Sequence, residues 1–256
     1  MKNVVFIPNV NLGNGRSDNY KYSIQSWEKW GAKHNVKVIE WTEPIMDPAE
    51  MKITLQRYWV HDILSYNNVE YDQVLIVDAD TIIHPETPNF FDLTEGKFGV
   101  VINNGCYEWT TRSIENWRSA LFNDQELVKP WEYFNGGFQI TSKEHIPFYD
   151  YVKDFYQTNR EEIKILAEKI KAGTDQTIVN YLTKKFGVET KFLPEAYNLQ
   201  DLFRKNLLHI PGHSWFKDEL LFTKAGWVYH FNAIPQNPRH VNYWMERTYN
   251  ELYGGA

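Results

Sequence analysis

An α/β fold with a mostly parallel central sheet flanked by helices is predicted by three features of the sequence. Short β-branched runs alternate with helix-spaced apolar residues from Val4 to about residue 80, the order of a sheet built by right-handed crossovers. The run Gln73 to Val77 is almost wholly apolar, as in a strand covered on both faces. The 256 residues, 43% hydrophobic and 23% charged, supply enough apolar surface for one large core. No internal repeat, low-complexity segment or linker marks a boundary, so residues 1–256 read as a single domain.

The elements follow in order. Val4 to Ile7 is a compact strand closed by Pro8, and the Asn- and Gly-rich segment from Asn11 to Ser17 is a loop. Tyr20, Ile24, Trp27 and Trp30 fall at helical spacing between a cap at Ser17 or Asp18 and Gly31. Val36 to Trp41 is a second strand. Asp47-Pro48-Ala49-Glu50, with proline in the first turn, predicts a helix carrying Met51, Leu55, Trp59 and Ile63. Gln73 to Val77 is the third strand, and Phe98 to Asn103 and Gly136 to Thr141 are further ones. Helical character between those two runs extends from Ser113 to Phe122. Tyr149 to Ala172 reads as one long helix with a charged, solvated face, and Thr174 caps another through Lys185. Beyond Gly187 the chain turns aromatic and loop-rich, with a short strand at Gly226 to Tyr229.

Composition removes several classes of function. With 27 basic and 33 acidic side chains the net charge is −6, so no basic stripe serves nucleic acid. Cys106 is the single cysteine, which excludes an intrachain disulfide framework and a cysteine zinc site. The apolar run near the N-terminus is too short for a signal peptide, and no stretch approaches the length of a transmembrane span, so a cytoplasmic protein is expected. The 10 Trp, 16 Tyr and 15 Phe exceed what a minimal core needs. Most of these rings fill the interior; others are candidates for platforms under a sugar or a base.

The most informative segment is Val74-Leu75-Ile76-Val77-Asp78-Ala79-Asp80-Thr81, an apolar strand ending in two carboxylates one residue apart. Open α/β sheets place their ligands at that carboxyl edge. Two adjacent acids repel and resist desolvation unless a cation joins them to an anionic ligand, and Mg²⁺ or Mn²⁺ takes carboxylate oxygens while leaving positions for phosphate. A strand-ending Asx turn would use the same residues without chemistry.

This segment resembles the D-x-D of the GT-A glycosyltransferases, a Rossmann-like nucleotide-diphospho-sugar transferase fold. Tyr133-Phe134-Asn135-Gly136-Gly137-Phe138-Gln139-Ile140 is similar to the F-N-x-G strand entry of the retaining glycogenin and lipopolysaccharide galactosyltransferase group, family 8. Asp175-Gln176-Thr177-Ile178-Val179-Asn180 resembles that group's D-Q-x-x-x-N helix start, and His230 stands where the group carries a further metal ligand. The resemblance implies a metal-dependent transferase (Mn²⁺ or Mg²⁺) that moves a hexose-type sugar from a nucleotide-sugar, with UDP favoured, to a glycan, glycolipid or other hydroxyl acceptor with retention. Asp78, Asp80 and His230 would hold the metal, and Asp175 and Gln176 would line the sugar as catalytic residues. Pro8, Asn9, Arg57, Asp78, Ala79, Asp80, Asn135, Gly136, Gly137 and Arg239 would contact the donor. Residues 1–105 would form the nucleotide-binding half and 106–256 the acceptor side, with the rings of 107–131 and 197–215, Trp215 among them, beside the acceptor.

From the residues themselves, Gly136 and Gly137 free space for a backbone approach, and Asn135 can bond hydroxyls through both amide ends. Asp175 and Gln176 join the free N–H groups of a helix start, and Asp175 becomes a general base if the reaction inverts. The sequence departs from the group after His230, where Ala233 replaces a glycine and Gln236 the lysine that holds the leaving diphosphate, so Arg239 or His240 is the substitute to look for. Two other readings compete. A haloacid-dehalogenase-type phosphohydrolase also places D-x-D after a strand, but Ile82 stands where it needs Thr or Val, and no downstream G-D-x-x-x-D is present. A carbohydrate-binding protein without chemistry would use the aromatic surface alone.

Overall fold

A computed structural model describes residues 2–208, 219–235 and 239–254. Eight strands are assigned among them: β1 (Asn3–Pro8), β2 (Lys37–Trp41), β3 (Gln73–Val77), β4 (Thr81–Ile83), β5 (Phe98–Ile102), β6 (Phe134–Ser142), β7 (Thr190–Leu193) and β8 (Val228–His230). Six form one sheet in the order β2-β1-β3-β6-β5-β7. β6 runs antiparallel to β3 and β5, and the remaining pairings are parallel. This mixed, mostly parallel sheet flanked by helices is the GT-A-type arrangement the sequence predicts.

Side-chain alternation divides the core into two layers. Val5 and Ile7 of β1 and Leu75 and Val77 of β3 face one layer with Trp27, Trp30 and Phe90. Val4, Phe6, Val74 and Ile76 face the other with Tyr58, Trp117, Tyr149 and Tyr181. Most of the aromatic excess is therefore core. Trp30 stacks on Phe90, and Phe122 lies parallel to Tyr181 at 4.2 Å between ring centroids. The exposed rings of the 107–131 segment are Tyr107 and Trp131, and Trp215 lies outside the described residues.

The helices are α1 (Tyr20–His34), α2 (Ile53–Gln56), α3 (Val60–Tyr66), α4 (Tyr107–Leu121), α5 (Ile146–Thr158), α6 (Arg160–Ile170), α7 (Thr174–Phe186) and α8 (Arg239–Tyr253). Several differ from the sequence reading: α4 starts at Tyr107, six residues before Ser113, and α8 is a helix of 15 residues in the stretch beyond Gly187 that reads as loop-rich. Asp47-Pro48-Ala49-Glu50 opens no long helix but forms an isolated turn, in which Asp47 Oδ1 accepts from the Ala49 N–H at 2.8 Å. The fully buried Gln56 holds that loop, accepting from the Ile45 N–H and donating to the Met46 and Met51 carbonyls. The stretch from Tyr149 to Ala172 is two helices, because Asn159 closes α5 through a side-chain bond to the Phe155 carbonyl while its own carbonyl accepts from Ile163. α7 takes no side-chain cap from Thr174 or Asp175; it starts from Gly173, whose φ of 60° turns the chain in.

Asn180 fastens α7 to β6. Its Oδ1 accepts from the Phe134 N–H at 2.9 Å, and its Nδ2 donates to the Phe134 and Gln176 carbonyls. Two backbone groups at the first residue of β6 thus depend on one buried amide. Asn180→Ala leaves them unsatisfied and is expected to cost about 2 kcal/mol, lowering the thermal midpoint by about 6 °C. Differential scanning calorimetry checks this, and an unchanged midpoint would show that β6 and α7 are held by packing alone.

Candidate functional site

The site is assembled where β3 ends. The Asp78 N–H donates to the Gly137 carbonyl at 3.0 Å, so the chain stays joined to β6 for one residue past the strand and then bends through Ala79 into β4. β4 pairs antiparallel with β8, placing Thr81 opposite His230, and the Phe231 N–H donates to the Asp80 carbonyl at 2.8 Å. Thr81 Oγ1 donates to the Asp78 carbonyl while accepting from Trp27 Nε1 of α1. The bend is thus fixed from both sides, and a histidine far away in sequence arrives beside the two acids.

The carboxylates share their oxygens in a regular way. Arg57 Nη2 lies 2.7 Å from Asp78 Oδ1, and Arg16 Nη2 lies 2.7 Å from Asp80 Oδ2. The other two oxygens face one atom: His230 Nε2 is 3.5 Å from Asp78 Oδ2 and 3.2 Å from Asp80 Oδ1. Ligand atoms of Asp78, Asp80 and His230 all lie within 4.8 Å of one another. His230 Nε2 is buried and has no hydrogen-bond partner. Two carboxylate oxygens and an unused imidazole nitrogen converging on one point fit a divalent cation of the Mn²⁺ or Mg²⁺ kind.

Electrostatics follows from this crowding. Burial opposes ionisation of Asp80, but His230 and Arg16 outweigh it and hold the carboxyl well below its usual range. Burial also opposes charge on His230, yet the two acids hold its imidazole above the ordinary value. Burial raises the Asp175 carboxyl, with Arg57 opposing and Asp78 reinforcing the shift.

Most other residues singled out in the sequence surround this cluster. Arg57 is buried, not on a solvated helix face, and its guanidinium also donates to the Thr54 and Gly136 carbonyls. A cavity of about 150 Å³ beside the acids is lined by Pro8, Val10, Arg16, Tyr20, Thr54, Ala79 and their neighbours. Asn9 lies at the end of β1 and bonds Glu40 through Nδ2, leaving a buried Oδ1 without a partner. Gln176 accepts from the Gly136 N–H at 3.0 Å, and its buried Nε2 has no partner. A Cβ at Gly137 would collide with Asp78 Oδ2 and lie 2.8 Å from His230 Cε1, whereas one at Gly136 would meet Gln176 only at ordinary contact distance. Glycine is thus required at 137 by the acids and the histidine. Asn135 is buried, and both of its amide ends are engaged by the protein.

Arg239 is exposed at the start of α8 and makes no ion pair with either acid; Gln236 is outside the described residues. Arg16 is the basic residue that sequence reasoning missed. It sits in the Asn- and Gly-rich loop before α1, its Nε donating to Tyr20 Oη at 2.8 Å. Asn198 and Gln200, which precede β8 in the chain, were missed as well, since isolated amides carry no spacing signal. Among the described residues no helix is long and apolar enough to cross a membrane.

No protein-family model and no curated protein sequence matches the chain. Among solved structures it is similar to a glycosyltransferase involved in glycosylation of the major capsid of PBCV-1, at 8% identity and a TM-score of 0.62, over 96% of this chain and 100% of that one. Mouse xyloside xylosyltransferase 1 gives 12% identity and a TM-score of 0.46 over 91% of this chain and 97% of that one. Glycosyltransferase GlyE of Streptococcus pneumoniae TIGR4 gives 19% identity and a TM-score of 0.45 over 99% of this chain and 63% of that one. The first of these likenesses extends to nearly the whole chain, and the fold is the one it shares with that glycosyltransferase.

Proposed function

We propose that the protein is a metal-dependent glycosyltransferase. It transfers a sugar from a nucleotide-diphosphate donor, a UDP-sugar in the first instance, to a hydroxyl acceptor with retention, as in the glycogenin and lipopolysaccharide galactosyltransferase group. The observation that carries this reading is the convergence of Asp78 Oδ2, Asp80 Oδ1 and His230 Nε2 at the carboxyl edge of a GT-A-type sheet. Residues 1–105 are assigned to the nucleotide and 106–256 to the acceptor side, with Tyr107 and Trp131 of the 107–131 segment and Phe203 of the described part of 197–215 the exposed rings offered to it.

When bound by Asp78, Asp80 and His230, Mn²⁺ or Mg²⁺ supplies a fixed positive charge for the diphosphate as it leaves. Arg16 is assigned the work of the missing lysine. It lines the cavity and its side chain is 45% exposed, so the guanidinium, held by Asp80 Oδ2 and Tyr20 Oη, would meet phosphate oxygens of a donor bound there. Arg57, 4% exposed and tied to two carbonyls, instead braces Asp78. The unpartnered Gln176 Nε2 donates to a sugar hydroxyl, and Asp175 places negative charge near the oxocarbenium-like sugar. Pro8 and Ala79, which line the cavity, and Asn9, which follows Pro8 in the chain, are assigned to the nucleotide.

Three outcomes are expected. Asp80→Asn lowers transfer by about 1000-fold, or about 4 kcal/mol, while leaving the circular dichroism spectrum unchanged. Full activity of that variant with Mn²⁺ would end the metal assignment. Gln176→Ala slows single-turnover transfer by about 100-fold with UDP affinity held within about twofold, and equal loss of both would make the residue structural. Arg16→Gln weakens UDP binding in the presence of Mn²⁺ by about tenfold but tightens Mn²⁺ binding alone, because a competing positive charge leaves Asp80. Isothermal titration of the two ligands separately checks the opposed signs; weakening of both would remove the diphosphate role.

A further inference from the structure

The amide groups behind His230 form a chain whose polarity is set at both ends by backbone. The Gly137 N–H can only donate, and it lies 2.9 Å from Asn135 Oδ1, which fixes that amide. The Ile102 carbonyl can only accept, and Gln200 Nε2 donates to it at 2.9 Å, so Gln200 presents Oε1 to Asn135 Nδ2. The two anchors agree. Asn135 Oδ1 must then accept from Asn198 Nδ2 at 3.1 Å, leaving Asn198 Oδ1 to face His230 Nδ1 at 3.1 Å. An amide oxygen only accepts, so Nδ1 carries a proton; the Asp78 and Asp80 oxygens at Nε2 also only accept, so Nε2 would be bare only with a cation in place of its proton.

We infer that Asn198 is a positioning residue that keeps a proton on His230 Nδ1 and aims Nε2 at the inner oxygens of Asp78 and Asp80. Asn135 and Gln200 transmit the orientation from two backbone groups, one on β6 and one on β5. The backbone supports this placement: the Leu199 N–H donates to the Val228 carbonyl and the His230 N–H to the Leu199 carbonyl, so residue 198 is held in step with β8. Asn135, which the sequence reading gave to sugar hydroxyls, is on this view committed to the histidine. The metal consequence rests on the ligand assignment proposed above; the tautomer does not.

The test is a long-range proton–nitrogen NMR spectrum of the histidine-labelled, metal-free full chain, recorded above the raised titration midpoint of His230, together with Mn²⁺ titration followed by electron paramagnetic resonance. Wild type is expected to show Nδ1 protonated. Asn198→Ala should give a tautomer mixture and about tenfold weaker Mn²⁺ binding, whereas Asn198→Asp, which restores an acceptor, should return the Nδ1–H form. An unprotonated Nδ1 in wild type would overturn the inference without any variant, as would an unchanged Nδ1 signal in a folded Asn198→Ala. A wild-type Nδ1–H form in a protein that binds no Mn²⁺ would support the positioning role and overturn the metal reading instead.

Discussion

Everything at this site depends on bringing two carboxylates one residue apart to one histidine nitrogen at the end of a buried strand. Each is divided between two partners: an arginine takes one oxygen, and the other is turned toward His230 Nε2. Asp80 is buried, and it remains charged there because Arg16 and His230 outweigh the desolvation that opposes its ionisation. The arginines supply the charge, and geometry supplies the direction. β6 holds Asp78 past the end of β3, β8 draws Asp80 to His230, and the missing side chain at Gly137 leaves room for the acid and the imidazole together.

The same constraint explains why polar groups interrupt an otherwise apolar sheet. β6 is buried throughout its first eight residues, and its first four are Phe134, Asn135, Gly136 and Gly137. A phenylalanine in the core is followed by an amide and two glycines, so the strand switches from packing to hydrogen bonding within one residue. Asn180 pairs both backbone groups of Phe134, and Asn135 is satisfied by Gly137, Asn198 and Gln200. Buried amides of this kind are stabilising only when every end is paired, and a fully paired set confers rigidity. Gln176 Nε2 and His230 Nε2 are the exceptions nearest the acids, and both are oriented by partners on their other atoms.

What the sequence made legible was local. The strand with its D-x-D is a contiguous pattern, and a run apolar at successive positions, as in β1 and β3, marks a strand covered on both faces. The glycine pair at 136 and 137 was equally visible, though only geometry separates the required glycine from the tolerated one. The elements read wrongly were those decided from elsewhere: a buried glutamine at 56 dictates the loop where Pro48 predicted a helix start, and Asn159 breaks a continuous helical pattern by capping in both directions. Arg16 gave no signal because its loop sequence specifies flexibility, and its meaning arises only when Asp80 lies beside it. Asn198 and Gln200 were invisible for the same reason.

The two arginines also differ in a way that bears on how an acidic protein would accept the proposed diphosphate. A net charge of −6 gives the chain as a whole no attraction for an anion. Positive charge is instead stored in contact with the acids. Arg57 is tied to Asp78 and to two carbonyls, so moving it would strand a buried charge, which costs several kcal/mol. Arg16 has a single carboxylate partner, a bond to Tyr20 Oη and a side chain 45% exposed, so its own charge can turn to solvent or to an anion, while Asp80, 4% exposed, would then need a cation in its place. On the proposed reading, a cation at Asp80 Oδ1 would weaken the pair that Arg16 makes with Oδ2, leaving a guanidinium that lines the cavity for anionic oxygens. Two acids balanced by two arginines would carry a net positive charge with the cation bound, and a diphosphate would offset it. Cation and diphosphate would then bind cooperatively, each lowering the cost of the other.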